Sequence, residues 1–77
     1  MRVLSGPGFG IYIYDYEHPP PHCHVIFKNE EELIITLPLL MEMFGKPIPK
    51  KVSKYLREHL IELIDVWETK HPETKRK

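Results

Sequence analysis

The chain has 77 residues, 42% of them hydrophobic, with 11 basic and 11 acidic side chains. That size allows one small core and little else. The balanced charge excludes a global field steering the protein towards nucleic acid or an anionic membrane. A single cysteine, Cys23, rules out an internal disulfide framework and fits a reducing, cytoplasmic setting. No run approaches the roughly 18 apolar residues of a membrane span, and Met1 to Gly10 lacks the apolar stretch of a signal peptide.

Gly6, Gly8 and Gly10 around Pro7 and Phe9 predict a loose lead-in over residues 1–8. Phe9 to Tyr16 is aromatic and β-branched and predicts a strand. Ile11 and Ile13 share its core face, and Tyr12, Tyr14 and Tyr16 share the other. Glu17 to Pro21 forms the connection, because proline cannot donate to a central ladder. His22 to Lys28 reads as the return strand, with Cys23, Val25 and Phe27 on one face and His22, His24 and Ile26 on the other. Asn29, Glu30 and Glu31 turn the chain into a third strand, Glu32 to Leu37, with Leu33, Ile35 and Leu37 inward.

Pro38 then opens a short helical segment through Leu39, Met41, Met43 and Phe44, which Gly45 closes. Lys46 to Pro49 is a proline-pinned linker. A long helix follows from about Lys50 to Lys70: at about 100° per residue, Val52, Tyr55, Leu56, Leu60, Leu63, Val66 and Trp67 fall in one arc. His59 lies in the middle of that arc, and Ile61 points outward. Residues 71–77 form a frayed basic tail. The expected architecture is one α+β domain over residues 9–70. It has a small three-stranded, mainly antiparallel sheet with one long C-terminal helix packed on its aliphatic face.

Chemistry concentrates in His18-Pro19-Pro20-Pro21-His22-Cys23-His24, which holds three of the five histidines. The prolines are read as a stiff, extended connector that lowers the entropy lost in holding the imidazoles together. His22 and His24 project from the same strand face, so their ring nitrogens can converge on one zinc or similar divalent transition ion. Cys23 points the other way. A third ligand is needed: His18 folding back across the turn, or His59 reaching over from the helix. No acidic or Cys ligand stands at a matching spacing.

The same imidazoles, His18, His22, His24 and His59, are candidates for metal-free acid–base chemistry on RNA through its 2′-hydroxyl. In that reading Tyr12, Tyr14 and Tyr16 offer stacking surfaces for bases. Lys50 and Lys51 at the start of the long helix are candidate phosphate contacts. The bland alternatives are a hydrogen-bonded turn, a neutral His59 satisfied by Glu62, and an ordinary solvated lysine face. Tyr12, Tyr14 and Ile26 would form an open apolar patch suited to a partner.

Gly10-Ile11-Tyr12-Ile13-Tyr14 and His18-Pro19-Pro20-Pro21-His22-Cys23-His24-Val25 resemble a family of short prokaryotic proteins of unassigned function. Its signature is a G-I-x-I strand, an acidic-His turn and H-x-P-P-H-F-H. Pro49-Lys50-Lys51-Val52 resembles the family's proline-basic helix start, and His59, Glu62 and Trp67-Glu68 fall where it has His, an acid and Trp-Glu. Cys23 replaces the usual Phe, and Ile26 stands where a polar or acidic residue is frequent. The resemblance implies a small α+β domain, often encoded beside another small protein in arrangements similar to toxin–antitoxin pairs. It implies no established activity. The leading expectation is therefore one member of such a two-protein module, with a histidine site acting on RNA. The alternative is a non-enzymatic module that binds a metal ion or a protein, either a second copy or a small neighbouring-gene product.

Overall fold

Period-two alternation of apolar and polar residues produces a four-stranded antiparallel sheet in the computed structural model, which describes residues 2–15 and 17–72. The elements run β1 (Arg2–Gly6), β2 (Phe9–Tyr12), β3 (His22–Phe27), β4 (Glu32–Thr36), α1 (Lys50–Glu58) and α2 (Leu60–Lys70). The strands lie in chain order, so each pairs with its neighbour in sequence. Register places Val25 between Ile11 and Leu33, and Cys23 opposite Ile35, on one face. His24 falls between Tyr12 and Ile34, and His22 opposite Thr36, on the other. The first set is buried and meets Val52, Leu56, Leu63 and Trp67 from the helices in one core. The face assignments made for Ile11, Ile13, Cys23, Val25, Leu33, Ile35 and Leu37 all agree with their burial.

Three expectations about the architecture are corrected. The sheet has four strands, because the segment read as a loose lead-in is β1. Its glycines are steric requirements rather than signs of looseness. A Cβ on Gly6 would stand 2.3 Å from the Phe9 ring, and Gly8 turns the chain at φ 88°. Tyr55 of α1 donates its hydroxyl to the Ser5 carbonyl at 2.9 Å and presents its edge to Phe9, tying this strand to the helix layer.

The single long helix is two helices. His59 separates them with φ −114° and ψ 18°, outside the helical region. Its N–H is shared between the carbonyls of Tyr55 and Leu56 at 3.1 and 3.3 Å. Its ring rests on Tyr55 and its Nδ1 bonds Glu62 at 2.9 Å. Leu63 N–H to His59 C=O restarts the ladder, so the apolar arc is kept while the backbone steps.

The short helix expected after Pro38 is a turn followed by an irregular return past β4, with a single bridge between Ile35 and Glu42. The Glu42 carboxylate accepts the backbone N–H groups of Ile34, Phe44 and Lys46 at 3.0, 2.7 and 2.8 Å, in place of helical bonds. Burial pushes that carboxyl up, but the three N–H donors and Lys46 outweigh it and hold it below the usual value. Leu39, Met41, Met43 and Phe44 are left exposed. At the other end, His71 is buried, stacked on Trp67 and donating Nδ1–H to the Trp67 carbonyl at 3.0 Å. Tyr16 and residues 73–77 of the expected tail lie outside the described residues.

Candidate metal centre

The site starts from strand geometry. Two residues apart on β3, His22 and His24 project from the face opposite the core, with ring centroids 5.3 Å from each other. The connector from Ile13 to Pro21 folds back over them. It bends at Pro19 and Pro20, whose peptide bond is cis, instead of forming the extended rod expected of three prolines. That bend brings the Pro20 carbonyl to His22 Nδ1 at 2.8 Å. His24 Nδ1 meets the Glu32 carboxylate at 2.6 Å. Carbonyl and carboxylate oxygens only accept, so each Nδ1 carries a proton, and Nε2 is the ring nitrogen left to meet a third side chain or an ion.

Both Nε2 atoms face one carboxylate. Glu17 sets Oε2 at 3.3 Å from His22 Nε2 and Oε1 against His24 Nε2. One ligand atom from each of the three side chains lies within 4.8 Å of the others. Tetrahedral bonds of about 2 Å to a single zinc ion put ligand atoms about 3.3 Å apart, so the three side chains would need to adjust by only about an ångström to hold one. The two histidines are buried and Glu17 is half-buried. Two neutral imidazoles would therefore point lone pairs at a carboxylate away from bulk water, which is unfavourable unless a cation lies between them. A proton on Nε2 meets the requirement, and so does a metal ion.

Neighbours hold the arrangement. The Tyr14 ring stands edge-on to His24 at 4.9 Å, and Trp67 of α2 packs on His22 at 5.1 Å. Lys70, in the last turn of α2, pairs with Asp15 of the connector at 2.6 Å. That hydrogen bond, with the lysine charge, holds the Asp15 carboxyl below its ordinary value. Burial pushes the Glu17 carboxyl up, but hydrogen bonds and charge from His24 and then His22 outweigh it and keep it below the usual range. Cys23 is sealed in the core, where burial raises its thiol to about 12, so it is neither thiolate nor ligand here.

His22 and His24 converge as the strand spacing requires, but the third donor is Glu17. His18 and His59 are not members of the cluster: His18 is exposed on the connector, and His59 pairs with Glu62 between the helices. Tyr12 and Tyr14 are half-buried and stacked, with centroids 6.2 Å apart, beside His24. Lys50 and Lys51 are exposed in the first turn of α1, which has no side-chain cap. A cleft of about 690 Å³ opens between Phe27, Lys28, Leu33, Lys46 and Pro49 and contains none of the histidines. Glu17 and Glu32 were missed. Glu17 directly precedes the histidine run, which was its available signal. Glu32 needs the β3–β4 register, since it lies diagonally across from His24 on the same face.

Fold and site together define a small α+β domain with a buried His₂Glu cluster capable of holding a divalent metal ion. Residues 8–68 match the model of a family described as a domain of unknown function (DUF4160), and the chain belongs to that family. No curated protein and no solved structure matches the chain. No helix among the described residues is long and apolar enough to cross a membrane.

Proposed function

We propose that this domain is a metal-binding module in which Glu17, His22 and His24 hold zinc or a closely related divalent ion. One observation carries the reading: both imidazoles have Nδ1 committed to an acceptor, so both Nε2 atoms are aimed at the same carboxylate. Histidine ligands of metal ions are typically oriented by such a second hydrogen bond, to a carboxylate or a carbonyl. Nitrogen and carboxylate oxygen donors suit zinc and the later first-row ions.

The test is metal content of untagged protein, together with titration of the metal-free chain. Trp67, the one tryptophan, packs on His22 and reports the site directly. One equivalent of zinc should bind, nickel or cobalt should quench the Trp67 emission, and both effects should vanish in a His22→Ala, His24→Ala double variant. Zinc at a hundredfold above its dissociation constant should add about 2.7 kcal/mol to stability. A chain that takes up no ion and gains no stability from zinc contradicts the proposal.

A second reading keeps the histidines catalytic, within a two-protein module that acts on RNA. Its support is the stacked Tyr12–Tyr14 pair beside His24, an aromatic surface next to acid–base groups. Such activity should survive EDTA and disappear in His24→Ala. The exposed Leu39, Met41, Met43 and Phe44 support a protein partner, either a second copy or a small neighbouring-gene product. Light scattering of the isolated chain separates the dimer from the monomer.

A further inference from the structure

Closed structural zinc sites supply four protein ligands, whereas sites with three keep a position for water or substrate. Among the described residues no fourth His, Cys, Asp or Glu side chain joins Glu17, His22 and His24. Glu32 is engaged at Nδ1 of His24, on the ring edge away from the donor atom. Cys23 is on the opposite face of β3, in the core. Burial of the three ligands is lopsided: the imidazole side chains are 7% and 11% exposed, but Glu17 is 23% exposed. Solvent therefore reaches the cluster from the side on which Glu17 enters.

We propose that an ion held by Glu17, His22 and His24 keeps a fourth coordination position, on the Glu17 side, open to an exogenous oxygen ligand. The ligand class is water or the oxygen of a carboxylate, hydroxamate or phosphate group. The inference rests on the metal reading above and goes beyond it, because a purely structural ion would be closed to such ligands. An exchangeable position is what lets a bound ion polarise a carbonyl or lower the pKa of its water to about 7.

The experiment uses the full chain loaded with cobalt(II), whose visible absorption reports coordination, titrated with acetohydroxamate. Bound cobalt is measured after gel filtration. The expected result is a saturable spectral shift with one equivalent of cobalt retained. A spectrum that does not respond while cobalt stays bound overturns the proposal, as does a change that appears only as cobalt is lost. A silent wild-type spectrum that becomes responsive in His18→Ala or Tyr16→Phe shows a side chain of this chain in the fourth position, and overturns it equally. Failure to take up cobalt at all removes the metal reading itself, an outcome distinct from a loaded but silent site.

Discussion

Among the described residues, two places pair a histidine with a glutamate beside a tyrosine, and they differ in what surrounds the pair. At the helix junction, His59 bonds Glu62 at 2.9 Å and rests on Tyr55 at 4.4 Å. On β3, His24 bonds Glu32 at 2.6 Å with Tyr14 at 4.9 Å. The His59 side chain is 29% exposed, and no second acid is bonded to its ring among the described contacts. His24 is buried, with Glu17 at its other nitrogen and His22 alongside. A histidine–glutamate pair is ordinary helix-surface chemistry. Two buried rings aimed at one carboxylate make a cluster capable of holding a metal ion.

The largest expected effect comes from exchanging the two histidines one at a time. His24→Ala should abolish stoichiometric zinc binding, while His59→Ala should leave the affinity within about twofold, since its ring reaches no ligand. Calorimetric titration of each variant measures this, and equal losses in the two would erase the distinction between the regions. Next in size is the pair of orienting acids. Glu32→Gln removes the carboxylate that fixes His24 and should weaken metal binding about 10–100-fold. Glu62→Gln should leave it unchanged, and an unaltered affinity in Glu32→Gln would show that His24 needs no such support.

The acid side of the stability curve sharpens the comparison further. Asp15 and Glu17, both in the connector, have carboxyls held below their ordinary values, the first by Lys70 and the second by His24 and His22 against the effect of burial. A carboxyl depressed by folding lends stability that is complete above its unfolded value and is lost as pH falls through the folded one. The urea midpoint of metal-free protein should therefore drop as pH falls below about 4. An Asp15→Asn, Glu17→Gln double variant should lose part of that drop, and an unchanged acid limb would count against the connector being held by charge. Metal affinity should also fall with pH, because protons compete for the ligand atoms. The smallest effect belongs to the helix junction: Glu62→Ala should cost no more than about 0.5 kcal/mol in urea unfolding, the scale of an exposed pair. A loss above about 1.5 kcal/mol would mean that the junction is a structural device in its own right.

Much of the fold was legible because alternation carries face information locally. Ile11, Ile13, Leu33, Ile35 and Leu37 read as inward and are buried, and of Cys23, Val25 and Phe27, which share a face, the first two are buried and Phe27 is half-buried against the core. The helical arc was read correctly at Val52, Leu56, Leu63 and Trp67, and Ile61 is outside as its position required. Readings failed where a residue type has two physical uses. Gly6 and Gly8 would mark flexibility in a tail, but in this hairpin Gly6 admits the Phe9 ring and Gly8 supplies a turn at φ 88°. Leu39, Met41, Met43 and Phe44 have an apolar spacing suited to a helix, but the Glu42 carboxylate captures the backbone donors and leaves those side chains in water.

By itself, the amino-acid sequence determined which face of each central strand is apolar and that His22 and His24 project together, because side-chain direction in a strand depends only on a period of two. It could not determine the third ligand. Whether His18, His59 or Glu17 meets the two imidazoles depends on how the proline connector bends and where the helices dock, and neither is a local property. The orienting role of Glu32 depends on strand register, set by pairing between segments rather than within one. The tertiary structure decided the centre for that reason: metal ligation is a matter of convergence in space, and convergence is produced by long-range contacts.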